Sequence, residues 1–244
     1  MPFTAAHPAI VLPLIKRNPR MVSATGLIAG SLAPDFEYFL KLSVNGVHGH
    51  TLWGLIYFDI PVAAFLAVLF HALVKNNLID NLPAPIRSRF QMVRQFDFFP
   101  SFRKNMIAFL ASCWLGAASH VLWDSFTHNG AYFTSRISLY EDTFFEFMGT
   151  RYPLFFVLQH VSTVAGLLII ALYVYFMRRQ EIDPARPAVS YWAVVAGVTF
   201  SVVCIRFMIK SSDFNPGNFV VTLVSGGCLG LILAGFLRFA NRSN

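Results

Sequence analysis

The 244-residue sequence has little charge and little cysteine. Charged residues make up 13% of the chain, hydrophobic residues make up 56%, and the mean hydropathy is +0.57. Because soluble domains carry about 25% charged residues, this composition excludes an ordinary soluble protein and predicts a membrane protein. The three cysteines, Cys113, Cys204 and Cys228, lie inside apolar runs without metal-ligand spacing. We interpret them as small core residues.

Targeting and repeat signals are also missing. The first residues lack an early basic region and a small-residue cleavage site, so we expect no cleavable signal peptide. The sequence contains neither an internal repeat nor a low-complexity segment. The chain therefore has to be interpreted from its apolar runs and from the few ionisable residues within them.

The apolar runs predict an all-α fold, a polytopic transmembrane helical bundle that forms one membrane domain over residues 1–244. A helix needs about 20 apolar residues to cross a bilayer. Residues 1–40 hold two shorter apolar stretches around a basic turn at 16–20, which predict an N-terminal helical hairpin whose second arm is a candidate sixth span. Five full spans are predicted at 51–74, 105–127, 152–177, 191–209 and 219–239.

The net charge of +7 is typical of a membrane protein with basic cytoplasmic loops, and we expect no nucleic-acid partner. Fourteen Lys and Arg residues fall on one side of the predicted spans and four on the other, and segment 75–104 alone holds six. The positive-inside rule then places segment 75–104 and the C-terminal end in the cytoplasm and segment 128–151 outside. The side of the N-terminus stays open.

A stripe of ionisable residues lies near the end of the second predicted span. The stretch S-H-V-L-W-D-S-F-T-H at 119–128 spaces His120, Asp124 and His128 four residues apart. Each four-residue step on a helix turns about 40° and rises about 6 Å, so these side chains share one face. Ionisable groups inside a membrane are costly and by default indicate a functional site.

The predicted topology brings more ionisable groups to the same, outward side. His120 and His160 lie about 10 to 12 Å inside their spans, and His71 alone falls near the cytoplasmic end. A cluster of His and Asp without Cys suits Zn²⁺, with Mn²⁺ or Fe²⁺ as alternatives if carboxylates dominate. If the N-terminal hairpin opens outward, the residues on this side are His7, Asp35, His48, His50, His120, Asp124, His128 and His160.

Structural roles are the alternative for several of these residues. The pair His120 and Asp124 could link neighbouring helices by hydrogen bonds, His160 could bond a backbone carbonyl, and Asp35 could cap a helix. Asp59 lies two residues before Pro61 in the first span, and it could bond the backbone group that the proline frees.

Five ordered motifs resemble a bacterial membrane family catalogued as domain of unknown function 4184. The resemblance covers essentially the whole chain and implies a protein of the bacterial cytoplasmic membrane. The motifs are M-P-F-T-A-A-H-P-A at 1–9, L-A-P-D-F-E-Y-F-L at 32–40, H-G-H-T-L-W-G at 48–54, S-H-V-L-W-D-S-F-T-H at 119–128 and Q-H-V-S-T-V-A-G at 159–166.

A more distant resemblance is to inner-membrane metal-dependent hydrolases and to zinc-dependent phospholipase C with its related single-strand nuclease. Those hydrolases carry an N-terminal His, a Pro-Asp, a His-rich segment that ends in Thr-His, and a later H-x-x-x-D. The resemblance implies hydrolysis, with a phosphodiester as the bond cleaved. The counterparts in this sequence are His7, Asp35, either His48 or His50, His120 and Asp124.

These observations lead to a hypothesis of a membrane-embedded metal-dependent hydrolase with an outward-facing site. We expect a membrane lipid, a lipid-linked molecule or another small molecule as substrate, with a phosphoester as one candidate. A proton- or ion-coupled transporter and a structural membrane protein with a vestigial metal site are the alternatives. The expected metal ligands are His7, Asp35, His50, His120 and Asp124, and the expected additional ligands or acid/base groups are His48, His128 and His160.

Overall fold

The computed structural model describes residues 3–15, 21–182 and 188–237. The predicted basic turn at 16–20 and the end of the chain beyond 237 fall outside these residues. In chain order the helices are α1 (Pro8–Ile15), α2 (Ala24–Leu32), α3 (Phe36–Lys41), α4 (Leu55–Asp80), α5 (Ala84–Gln95), α6 (Phe98–Lys104), α7 (Met106–Asp124), α8 (Leu139–Asp142), α9 (Leu154–Phe176), α10 (Val189–Ile209) and α11 (Pro216–Phe236).

Five of the described helices are long and apolar enough to cross a membrane: α4, α7, α9, α10 and α11. The predicted all-α polytopic bundle is therefore confirmed, and the chain is a multi-pass membrane protein. The first span differs most from its predicted bounds, since α4 begins at Leu55 and continues to Asp80. Within it, Leu55–Asp59 and Phe70–Val74 are π-helical.

The two longest predicted loops contain regular structure. Segment 75–104 carries the end of α4 together with α5 and α6. Segment 128–151 carries α8 and strand β1 (Phe144–Phe147), which pairs antiparallel with β2 (Thr150–Pro153). Met148 and Gly149 between the strands both have positive φ, 50° and 77°. Short amphipathic helices and a hairpin of this kind leave no long apolar run, so hydropathy alone does not indicate them.

The N-terminal hairpin is present as α1 packed against α2. These helices have 8 and 9 residues, so each is only about 12 to 14 Å long at 1.5 Å per residue. That is less than half of the roughly 30 Å hydrocarbon core. Neither helix by itself is long enough to span, and the described residues contain five candidate spans rather than six.

The chain divides into two compact units, each formed by several separate stretches. The first unit contains the described residues of Met1–Pro34, His48–Ala64 and Asn105–Tyr173. The second contains those of Asp35–Val47, Phe65–Lys104 and Val174–Asn244. Helices α4 and α9 each contribute residues to both.

The core of the first unit is the contact between α2 and α7. Gly26 and Gly30 lie four residues apart and form one small-residue face on α2. A Cβ atom added at Gly30 would lie 2.1 Å from the backbone oxygen of Cys113, and one at Gly116 would lie 2.3 Å from the oxygen of Leu27. Small residues thus let the two backbones touch, which is how apolar helices associate in a membrane.

The second unit is built on the contact between α10 and α11. Gly226 and Gly230 on α11 approach Thr199 and Val195 on α10, with the position of an added Cβ 3.0 and 2.8 Å from their backbone atoms. The C-terminal end of α4 contacts α11, because the Asn77 side chain donates a hydrogen bond to the Gly235 carbonyl over 3.0 Å.

Candidate metal site

The carboxylate of Asp124 faces three histidine side chains of the first unit. Its two oxygens face three imidazole nitrogens: His7 Nε2 lies 3.1 Å from Oδ1, and His50 Nε2 and His120 Nε2 lie 3.2 and 3.3 Å from Oδ2. His120 and Asp124 are one turn apart on α7, so the helix itself brings them together. His7 precedes α1, and His50 lies in the turn before α4.

The other ring nitrogens of two of these histidines face backbone oxygens. His120 Nδ1 lies 2.7 Å from the Ser31 carbonyl, and His7 Nδ1 lies 3.3 Å from the Thr4 carbonyl. A carbonyl can only accept a hydrogen bond, so each Nδ1 carries the proton. In the neutral rings the lone pair is then on Nε2 and points at Asp124, an arrangement that is typical of metal-binding histidines.

A second carboxylate completes the cluster. Asp35 follows Pro34 in the short 3-10 helix Ala33–Asp35 that continues α2. Ligand atoms of Asp35, His50, His120 and Asp124 all lie within 4.8 Å of one another. Two atoms bound to one Zn²⁺ lie at most about 4.2 Å apart, because each is about 2.1 Å from the ion. Small side-chain shifts of this buried group of two acids and two imidazoles would therefore let it hold one metal ion.

Burial makes the charges of this group costly. His7, Asp35 and His120 are fully buried, and Asp124 is 4% exposed. Two carboxylates so close together and away from water need compensating positive charge. A divalent cation with neutral imidazoles would balance both carboxylates. The His50 side chain is 27% exposed. The cluster is therefore open to its surroundings at His50, as a catalytic metal site requires.

His128 lies just beyond the end of α7 and next to the cluster. Its Nδ1 donates to the Asp124 carbonyl over 3.0 Å, so the lone pair of the neutral ring is on Nε2. Burial lowers the pKa of His128 below its ordinary value, against the opposing effect of the Asp124 carboxylate. Within the described residues, Nε2 of His128 has no hydrogen-bond partner. The ring is thus neutral at pH 7 and can accept a proton.

Two histidines that the sequence placed with the site are not in the converging group. His48 is exposed, and its Nδ1 lies 2.7 Å from the Tyr57 hydroxyl. His160 is exposed on α9 and donates from Nδ1 to the Phe156 carbonyl over 2.8 Å. Neither belongs to the group whose ligand atoms converge. Of the two alternatives left open in the H-G-H-T motif, His50 is the one in the cluster.

We expect His48→Ala and His160→Ala to leave the bound metal per chain unchanged, because their rings lie outside the cluster. His50→Ala is the matched comparison, since it removes an imidazole two residues from His48 in the same turn. It should weaken metal binding by at least the roughly 10-fold that even loss of an outer partner costs. Elemental analysis of the three purified variants gives the answer. A loss of metal in His48→Ala equal to that in His50→Ala would contradict this assignment.

Sequence reasoning does not find every group that shapes the site. The carbonyls of Thr4 and Ser31 orient two of the clustered histidines, yet any residue type can supply a carbonyl. The Trp123 ring packs edge-on against His7 with centroids 5.5 Å apart, a contact that the sequence analysis did not predict. Its position next to Asp124 on α7 is the sequence feature that could have indicated this contact. Gly49 is a second residue that shapes the site, because an added Cβ would lie 2.3 Å from the Pro34 carbonyl.

Comparison with known proteins gives one result. No curated protein and no solved structure matches the chain. One family model matches residues 1–236, which is nearly the full length. This match agrees with the five sequence motifs noted above, three of which supply the clustered histidines and Asp124. The chain belongs to the family described as Domain of unknown function (DUF4184).

Proposed function

We propose that this chain is a membrane-embedded, metal-dependent hydrolase whose substrate is a lipid or a lipid-linked molecule, with a phosphoester as the leading candidate for the bond cleaved. The observation that carries the proposal is the convergence of Asp35, His50, His120 and Asp124 within 4.8 Å, with His7 Nε2 also 3.1 Å from Asp124. All donors are imidazole nitrogens or carboxylate oxygens.

We propose Zn²⁺ as the metal, with Mn²⁺ or Fe²⁺ as the alternatives, since a donor set without thiolates accepts all three. A divalent ion at such a site supplies a Lewis acid and a bound water of lowered pKa. His7, Asp35, His50, His120 and Asp124 would hold it. His128 would move a proton through Nε2, because its ring lies beside the cluster, with Nδ1 3.6 Å from Asp124 Oδ1, and is not among the converging ligands.

We also propose that the site opens on the outer face of the bacterial cytoplasmic membrane. The support is the excess of Lys and Arg in segment 75–104 and the C-terminal region over segment 128–151. Asp124 ends helix α7 on the side of segment 128–151. Lipids of the outer leaflet would then reach the cluster from the side of His50.

The test is turnover by purified protein in mixed micelles with phosphatidylglycerol, phosphatidic acid or a polyprenyl phosphate. We expect metal-loaded protein to release product from at least one of them. The double change His120→Ala and Asp124→Ala should lower the rate by at least about 1000-fold, because the metal supplies several kcal/mol to the transition state. Asp142→Asn, an exposed acid of the same unit, should keep full activity.

Metal-loaded protein that hydrolyses none of these lipids would contradict the proposal and favour a structural protein with a vestigial site. A transporter is the second candidate, because α4 carries a buried acid and a buried base, Asp59 and Lys75. They are sixteen residues apart, which is about 24 Å along a helix. Proton flux into liposomes that is lost in Asp59→Asn, without hydrolysis, would favour the transporter.

A further inference from the structure

The first unit carries an open, largely apolar groove beside the metal cluster. Its volume is about 540 Å³, within the range of small-molecule sites. Helices α7 and α9 form two of its walls, and α1 contributes to it as well. The residues that matter here are Ile10, Leu122, Trp123, Tyr140, Leu158 and Ser162.

The groove offers a ligand hydrocarbon contact and few hydrogen bonds. The Tyr140 hydroxyl already donates to the Phe126 carbonyl over 2.9 Å, and the Thr127 hydroxyl contacts the Trp123 carbonyl at 3.4 Å. Because α7 and α9 are membrane-spanning helices, the medium around the groove is lipid. An empty apolar groove lacks dispersion contacts, and a water molecule in it finds few hydrogen-bond partners. A hydrocarbon chain would supply the dispersion contacts and needs no hydrogen bonds.

The groove and the metal cluster share their supporting elements. Trp123 lines the groove and precedes the central ligand Asp124, and its ring also packs edge-on against His7. Ile10 lines the groove from α1, one turn after His7. A long molecule in the groove would therefore have one end beside the cluster, with the Trp123 indole between its chain and the ligand His7.

We propose that this groove binds one acyl chain of a glycerophospholipid and thereby places the headgroup ester at the metal cluster. The inference rests on the proposed function for what happens to the headgroup, but binding of the chain does not require turnover. It assigns Trp123, Leu122, Leu158 and Ser162 to substrate binding. It also predicts that the enzyme discriminates by chain length, since a short chain leaves most of the groove unfilled.

The test is photolabelling of the full-length protein in phosphatidylglycerol nanodiscs with a diazirine in one acyl chain of the probe lipid. We expect labelled peptides to concentrate on groove residues, compared with outward residues of α10 such as Phe200 and Ile205, which are 71% and 57% exposed. Ser162→Trp should fill the groove and weaken labelling there by at least about fivefold. A fivefold loss of binding corresponds to about 1 kcal/mol, which is within the cost of overpacking.

Val164→Trp is the matched control, because Val164 is two residues away on α9, is 67% exposed and does not line the groove. It should label as the wild type does. Leu122→Trp fills the groove from α7 and should reproduce the effect of Ser162→Trp. Bound metal per chain and elution as a monodisperse species verify that each variant is folded.

Failures of the two proposals are distinguishable. Labelling that is uniform over all outward helices, or that persists in both folded groove variants, would overturn the lipid groove whatever the enzyme does. Specific labelling of a protein without turnover would leave the groove standing and count against hydrolysis. Turnover that is equal for short-chain and long-chain phosphatidylglycerol would also overturn the groove while supporting the hydrolase.

Discussion

Replacing Asp124 with Asn should abolish metal binding at the candidate site. Asp124 alone contacts three imidazoles, at 3.1 to 3.3 Å, and it supplies half of the carboxylate charge in the group that converges within 4.8 Å. Asparagine keeps the shape of the aspartate side chain but removes its charge. Its NH₂ group also replaces an oxygen that would bind the metal, and it faces at least one imidazole Nε2. We expect the affinity for Zn²⁺ to fall by more than the roughly 10- to 100-fold that follows loss of an outer partner.

The measurement is elemental analysis of protein purified without added metal, followed by competition titration with a Zn²⁺ indicator. Asp142→Asn is the control, because it removes one acid from an exposed position of the same unit without touching a ligand. Retention of wild-type metal by Asp124→Asn, or equal losses in both variants, would mean that the cluster is not the metal site. The buried carboxylates would then be compensated by protonated imidazoles.

Replacing Gly30 with Ala should destabilise the first unit although it adds only one methyl group. The new Cβ would lie 2.1 Å from the backbone oxygen of Cys113 and within 3 Å of two more of its backbone atoms. Backbone cannot rotate away as a side chain can, so α2 has to move off α7. Overpacking of this kind costs about 1 to 3 kcal/mol. It should also weaken metal binding, since Ser31 follows Gly30 and its carbonyl holds His120.

Gly227→Ala on α11 is the matched control, because no described atom beyond its own turn of helix lies within 4 Å of the Cβ it would add. Replacing an interior helix glycine with alanine gains about 0.5 to 1 kcal/mol where space allows, so this variant should be neutral or more stable. Unfolding in a graded detergent mixture compares the two. Equal stability of Gly30→Ala and Gly227→Ala would show that the α2–α7 contact tolerates separation.

The sequence predicts the spans well because a membrane helix is defined by length and apolarity, and both are counted directly. The same reasoning brings His120 and Asp124 together, since they are one helical turn apart. It cannot decide which way His160 points, because α9 is apolar on every side and its pattern does not identify a buried face. His48 and His50 lie in an irregular turn, where no periodicity indicates direction.

Other features depend on tertiary contacts that no local pattern encodes. Gly49 lies close to the Pro34 carbonyl. Of its two histidine neighbours, His50 belongs to the cluster and His48 does not. The apolar groove forms where three helices fail to fill the space between them, which composition does not reveal. Ser31 acts through its carbonyl oxygen, so its side-chain type carries no information about its role.

The carbonyls of Thr4 and Ser31 that fix the imidazoles of His7 and His120 belong to the main chain. Many histidine ligands are instead oriented by a carboxylate whose replacement retunes the ligand. Here a point mutation at Thr4 or Ser31 would leave the accepting oxygen in place, so the donor strength of these two rings is insulated from ordinary substitution. Laboratory evolution aimed at changing the metal preference would have to work through Asp35, His50 or Asp124, or shift the backbone itself.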